Sequence, residues 1–327
     1  MQMAIDLHVH SNASSDGEFS ARELVEMALA AGLETISITD HDSVENVEAG
    51  MMWGQRYKLE VIPGCELFSQ YKGKFLHILG YYIDPLHPGI QGLCAKAAED
   101  SLSRIDRQIA VLREGGFYLE KEKVLAQCSH NAPLYSNYAE AIFEDERNKD
   151  NPIIKKYRQM EMGLIEFCRD YMCMGKKYYI PQYIPSSEQV LSVIQESGGV
   201  AVLAHPAVNL KKGDTAILGE LVEMGLVGLE VFTSHHTEED ENFYLDYCQK
   251  QGLIYTCGSD YHGFFKPNVS LGDVKNNTYE VVEALKAAWK AQTAEKEKAA
   301  PGAVPGSVPA AASDAASTPG SDTRPEE

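Results

Sequence analysis

Residues 5–16 read IDLHVHSNASSD, from Ile5 to Asp16, and the fold is decided by how this stretch is read. Asp6, His8 and His10 alternate with Ile5, Leu7 and Val9, which is the two-residue period of a β-strand. One face is therefore apolar, and the other carries a carboxylate and two imidazoles. Histidines two positions apart on a strand sit about 7 Å from each other and can converge on one ion where the strand end bends inward. A Ser/Asn/Ser run unsuited to a core strand follows and ends on Asp16. Taken alone, His-x-His suits a half-buried strand with one polar side equally well, so its meaning has to come from the rest of the chain.

Outward from that stretch, Ser20 with Glu23 predicts a capping box that opens a helix through Ala31, with Gly32 as its stop. Thr35–Thr39 is a β-branched run that halts at Asp40-His41-Asp42, and a second helix is predicted over 44–57. Glu60–Pro63 leads into Gly64-Cys65-Glu66, and Phe75–Tyr82 carries His77. The alternation returns late in the chain. A helix over 186–197 precedes the apolar strand Val200–Ala204, which runs into His205-Pro206. Strand 228–232 is followed by His235-His236, and strand 253–257 by Gly258-Ser259-Asp260-Tyr261-His262. Strand and helix at this spacing are the pattern of parallel β/α units.

Seven candidate strands thus end in, or carry, side chains of metal-ligand type: His8 and His10, His41, Glu66, His77, His205, His235 or His236, and Asp260 with His262. In parallel β/α barrels the C-terminal strand ends form one face, where residues distant in sequence meet. Imidazole plus carboxylate without cysteine suits Zn²⁺, Mn²⁺ or Fe²⁺. So many ligands exceed the needs of one ion, so the expectation is about two to three divalent ions sharing a bridging carboxylate. Such clusters activate water and stabilise both oxygens of an in-line displacement at phosphorus.

Composition narrows the choices. The 327 residues carry 24% charged side chains and a net charge of −19, which suits a large globular core. Acidity disfavours a long nucleic-acid track, which needs a basic face. Cys65, Cys94, Cys128, Cys168, Cys173, Cys248 and Cys257 form no CxxC pair and read as reduced thiols. The first strand begins too close to Met1 for a signal peptide, and no apolar run approaches a membrane span. The expected location is cytoplasmic; the oligomeric state stays open.

The segments DLHVHS…SD, ITDHD, PGCE, LHILGY, LAHP, GLEVF and GSDYH, in this order over residues 1–274, resemble the motifs of the PHP (polymerase and histidinol phosphatase) family of metal-dependent phosphoesterases. The resemblance implies a distorted seven-stranded (β/α) barrel. It also implies His8, His10, Glu66 and Asp260 on one ion, Asp16, His41 and His262 on a second, and Glu66, His77 and His205 on a third. Asp6 would orient a ligand imidazole, and a hydroxide between the ions would be the attacking group. The expected organisation is a barrel over 1–91 and 186–292, a helical insertion over 92–185 and a disordered tail over 293–327. Stand-alone relatives with such an insertion hydrolyse nucleoside monophosphates and 3′,5′-bisphosphates or trim RNA from its 5′ end. A small phosphorylated nucleotide is therefore the expected substrate. The alternatives are histidinol phosphate, short RNA degraded from its 5′ end, or a metal-binding regulator without catalysis.

The insertion carries Arg104 and Arg107 three residues apart, which reads as a phosphate clamp on one helix face or as a solvated face. Leu102, Ile105, Ile109 and Leu112 form the stripe of the same helix. His235 is a candidate phosphate contact and His236 a candidate acid or additional ligand. The Tyr178, Tyr179 and Tyr183 cluster could stack a base or fill a core.

Overall fold

A computed structural model describes residues 4–14, 16–128, 133–173 and 175–299. Strand β1 (Ala4–Val9) leads to α1 (Ala21–Ala30), β2 (Leu33–Ile38), α2 (Val47–Tyr57), β3 (Glu60–Tyr71) and β4 (Lys74–Tyr81). The chain then leaves the sheet through α3 (Pro88–Glu114), α4 (Lys121–Ala126), α5 (Tyr135–Glu144), α6 (Pro152–Arg158) and α7 (Gly163–Tyr171). It returns with α8 (Ser187–Glu196), β5 (Val200–Leu203), α9 (Thr215–Glu223), β6 (Leu226–Thr233), α10 (Glu238–Gln251), β7 (Ile254–Gly258) and α11 (Tyr279–Ala299).

The seven strands form one sheet in sequence order. β1–β2–β3 and β5–β6–β7 pair in parallel, as β/α units require. β4 is antiparallel to both neighbours, a correction to the all-parallel expectation. The cause is local: β3 turns back at once through Lys72 and Gly73, both at positive φ, leaving no room for a crossover helix. The reversal still serves the site. His77 lies early in β4, and in an antiparallel strand that end shares a face with the C-terminal ends of the parallel strands.

The two edge strands meet at those same ends. Val9 bridges Tyr261, Asp260 N–H donates to His8 O (2.8 Å), and His10 N–H donates to Tyr261 O (2.9 Å). Gly258 permits the approach, since a Cβ there would sit 2.2 Å from His8 Cβ. The apolar side of β1 is buried, with Ile5 and Leu7 in the main core and Val9 in a neighbouring cluster beneath α1 and α2. The Ser20–Glu23 capping box forms as the sequence indicates, and α2 starts at Val47, three residues later than expected.

The insertion has its own apolar cluster, in which Phe167 meets Phe117, Phe143 and Tyr157 edge-on at 5.3–5.7 Å. Ile105, Ile109 and Leu112 join it, whereas Leu102 is 41% exposed and does not. Tyr178 is core here and not a stacking platform. Residues 293–299, expected to be disordered, continue α11; Gln292 Nε2 donates to Gly199 O (2.5 Å) and anchors the preceding turn. Strong helix formers in Ala294–Ala299 extend the helix beyond where a core stops directing it. The rest of the tail, 300–327, and residues 129–132 of the insertion lie outside the described residues. Among the described residues no helix is long and apolar enough to cross a membrane.

Phe167→Ala should cost about 3–5 kcal/mol in urea denaturation, because a fully buried ring leaves a cavity in the second cluster. Divalent-ion binding should survive, since the imidazole and carboxylate cluster lies elsewhere. An unchanged denaturation midpoint would contradict this packing.

Candidate metal centre

The strand ends bring His8, His10, Asp16, His41, Glu66, His77, His205, Asp260 and His262 into one cluster. Glu66 is fully buried at its centre. Its Oε1 lies 2.7 Å from His77 Nδ1 and 2.9 Å from His205 Nε2. Its Oε2 lies 2.9 Å from His41 Nδ1, 3.2 Å from His8 Nε2 and 3.3 Å from His10 Nε2. Asp260 Oδ1 faces His10 Nε2 at 3.2 Å and His8 Nε2 at 3.4 Å. Asp16 Oδ2 stands 3.5 Å from His262 Nε2 and 3.7 Å from His41 Nε2. Gly17 lets the loop carrying Asp16 fold tightly, because a Cβ there would collide with Ser11 O at 1.9 Å.

These residues fit divalent ions on three counts. Among the described residues, Asp16 Oδ1 and His205 Nδ1 are buried with no hydrogen-bond partner, and Glu66 Oε2 and Asp260 Oδ1 face imidazole nitrogens without a well-formed hydrogen bond, a costly state for buried polar atoms unless a cation meets them. His8 Nε2 and His10 Nε2 point at each other across 3.1 Å. The donor atoms also fall into compact groups: His8, His10 and Glu66; His8, His205 and Asp260; His10, Asp16, His41 and His262; and His41, Glu66 and His77. Every donor is nitrogen or oxygen, the set that suits Zn²⁺, Mn²⁺ or Fe²⁺.

Outer partners fix the imidazoles. His8 Nδ1–H donates to Glu230 Oε1 (2.9 Å), which leaves Nε2 as the free lone pair. The other oxygen of Glu230 accepts from His205 N–H (2.9 Å), so one buried carboxylate ties two strand ends together. His10 Nδ1–H donates to Ser14 Oγ (3.1 Å), whose hydroxyl donates to Asp40 Oδ1 (3.1 Å). His262 Nδ1–H donates to Asp260 O (2.9 Å). His205 and Asp260 both take positive φ, 26° and 57°. Non-glycine residues held there cost about 1–3 kcal/mol each and persist where surrounding contacts over-determine them.

Asp6 does not orient an imidazole. Its carboxylate accepts from Ser259 N–H (2.9 Å), Ser259 Oγ–H (2.5 Å) and Gly272 N–H (2.8 Å), pinning the loop after β7 to β1. Glu230 performs the orienting instead. Its sequence signal is a lone acid inside the apolar run GLEVF. His236 turns away from the cluster: Nδ1–H donates to Val231 O (2.8 Å) and Nε2 accepts from Ala207 N–H (3.2 Å). With both ring nitrogens engaged by backbone, it is neither ligand nor acid. His235 faces inward, its Nε2 2.5 Å from Asp260 Oδ2, and Lys266 pairs with the same oxygen.

A cavity of about 470 Å³ separates the cluster from α3. Asp16, His41 and His77 line one side, Arg104, Tyr135, Gln182 and Tyr183 the other, with Phe68 between. Arg104 Nε–H donates to Asp100 Oδ2 (2.7 Å), which also accepts from Tyr183 N–H (3.0 Å). Arg107 is exposed and does not line this cavity. Three residues at 3.6 per turn leave it about 60° around the helix from Arg104, and Asp100 holds only the latter.

Residues 6–168 match the PHP domain. The chain is 30% identical over 269 residues to phosphoribosyl 1,2-cyclic phosphate 1,2-diphosphodiesterase of Eggerthella lenta, covering 80% of this chain and 95% of the relative. The chain belongs to the PHP family of metal-dependent phosphoesterases. Another relative is 3′,5′-nucleoside bisphosphate phosphatase of Chromobacterium violaceum, 26% identical over 264 residues, covering 79% of this chain and 87% of that one. Among solved structures, a protein of Bifidobacterium adolescentis described as a metal-dependent phosphoesterase superposes with a TM-score of 0.74 at 26% identity, covering 88% of this chain and 96% of that one.

Charge follows the geometry of the PHP site. Against burial, the imidazoles of His77, His41 and His8 hold the Glu66 carboxyl well below its ordinary range. Burial, aided by the neighbouring His77 and opposed by Glu66 and Asp260, pushes His205 down to about 4. For His41 burial works against the charge, yet Glu66 and Asp16 raise it to about 10. The His41 proton of the metal-free protein thus does part of an ion's work. A pKa raised from 6.5 to about 10 gives stability that is complete below pH 6.5 and lost as pH rises towards 10. Melting temperatures of metal-free protein should therefore fall between pH 6.5 and 10, while those of metal-loaded protein hold, because ligand deprotonation favours metal. Parallel curves would contradict this. Glu230→Gln should weaken ion affinity about ten- to a hundredfold with an unchanged circular dichroism spectrum; unchanged affinity would mean that Glu230 does not position His8.

Proposed function

We propose that this phosphoesterase hydrolyses a phosphate ester on a ribose bearing a second phosphate at its far side, with a nucleoside 3′,5′-bisphosphate as the preferred substrate. The observation that carries this reading is one cavity lined by both cluster residues and Arg104. Its aromatic lining, Phe68, Tyr135 and Tyr183, suits a base or a sugar face. The names of both relatives describe a ribose with two phosphate groups, which is what such a two-ended cavity would take. The Eggerthella relative favours a second reading, a ribosyl 1,2-cyclic phosphate with a terminal phosphate.

His8, His10, Glu66 and Asp260 would hold one ion, Asp16, His41 and His262 a second, and Glu66, His77 and His205 a third. Divalent ions bound there supply Lewis acidity and make water nucleophilic near neutral pH. The chain's own residues do the rest. Glu230 and the Ser14–Asp40 pair fix the tautomers of His8 and His10. α3 contributes Arg104 and a wall of the cavity beside the cluster. Asp100 aims the Arg104 guanidinium at the cavity, where its planar donors match a phosphate.

A hydrolysis screen of metal-loaded protein tests this, with adenosine 3′,5′-bisphosphate, adenosine 5′-monophosphate, ribose 1,2-cyclic phosphate 5-phosphate, histidinol phosphate and short 5′-phosphorylated RNA. The bisphosphate should have the highest kcat/KM; preference for histidinol phosphate or RNA would overturn the assignment. Arg104→Ala should raise KM for the bisphosphate about ten- to a hundredfold more than for the monophosphate, the worth of a lost charge-assisted contact. Equal effects on both would remove Arg104 from the second phosphate.

A further inference from the structure

An acidic chain acting on an anionic ester needs protein cations beside the cluster. Arg104 stands across the cavity, whereas Lys266 touches the cluster itself. Among the described residues it is the lysine or arginine that forms an ion pair with a candidate metal ligand, through Asp260 Oδ2. His235 Nε2 lies 3.3 Å from its Nζ.

The backbone holds Lys266 firmly. It follows the 3-10 turn Gly263–Phe265, which begins immediately after His262. Its N–H donates to Gly263 O (3.0 Å) and its carbonyl accepts from Val269 N–H (2.9 Å). Glu18 Oε2 accepts from Phe264 N–H (2.7 Å) and ties the turn to the loop that carries Asp16. The side chain keeps 26% exposure, so its end is reachable from solvent.

An ammonium has three donors and no acceptor. Asp260 Oδ2 takes one, while Asp260 Oδ1 points inward at His8 and His10. Neither Asp260, His235 nor Lys266 lines the Arg104 cavity, which reaches the cluster at Asp16, His41 and His77. Lys266 therefore meets the cluster outside the cavity that Arg104 lines. On the proposed reading of the cluster, the reacting phosphoryl group would lie over it and the rest of the substrate would extend towards Arg104.

We propose that Lys266 donates a hydrogen bond to a non-bridging oxygen of the phosphoryl group undergoing hydrolysis. This rests on the reading of the cluster as a phosphoester site, and it gives the two cations different tasks. Arg104 recognises the remote phosphate, and Lys266 the reacting one.

The test is calorimetric titration of metal-loaded wild type, Lys266→Met and Lys266→Arg with inorganic phosphate, alongside elemental analysis of each. Lys266→Met should keep its ions and bind phosphate about ten- to a hundredfold more weakly, and Lys266→Arg should recover most of the affinity. The kcat/KM of Lys266→Met should fall equally on bisphosphate and monophosphate, unlike that of Arg104→Ala. Wild-type phosphate affinity in Lys266→Met would overturn the proposal. So would loss of ions in step with phosphate binding, which would leave Lys266 as a positioning residue for Asp260. The titration does not depend on which ester is cleaved. Failure of wild type to hydrolyse any ester would thus count against the proposed substrate, while the titration would still judge Lys266.

Discussion

A carboxylate with no exposure to solvent has to be compensated, and in this protein that requirement falls on Glu66. Burial alone would neutralise it. The imidazoles of His8, His10, His41, His77 and His205 converge on its two oxygens from β1, the β2 and β5 loops and β4. The antiparallel turn of β4, the left-handed backbone at His205 and the close passage of Gly258 against β1 all deliver a side chain to this centre. Strain and crowding collect where the compensation happens.

The arrangement also explains how an acidic chain handles an anionic ester. Asp16, Glu66 and Asp260 sit among the imidazoles in groups that suit divalent ions, so the field a substrate meets there would be set by bound ions and a few protein cations. Asp100 holds Arg104 and Asp260 holds Lys266. Each guanidinium or ammonium is thereby fixed in place by one carboxylate and keeps further donors free.

Much of this was legible in the sequence because ligand-type residues at strand ends have few structural uses. His8, His10, Glu66, His205 and Asp260 could be named for that reason, and Ser20 with Glu23 marked a helix start by local chemistry. What stayed hidden depended on direction. Periodicity does not reveal that β4 runs backwards, nor which of His235 and His236 turns inward, because adjacent residues after a strand point opposite ways. Arg104 and Arg107 share a helix, but only the contact with Asp100 selects one of them. Asp6 was legible as important and not as a pin for the loop at Ser259. Glu230 was visible as an acid in an apolar strand, yet its partners lie on β1 and after β5. The helix through Ala299 was masked by a composition that resembles the tail beyond it.

The central claim is that the Glu66 cluster is a polynuclear metal centre. Elemental analysis of protein purified without chelator tests it most directly, with Glu66→Gln prepared in parallel. The wild type should carry about two to three equivalents of Zn, Mn or Fe per chain, as the ligand supply allows, and Glu66→Gln should lose most of them. Wild-type protein free of divalent ions, yet fully active in excess chelator, would contradict the account.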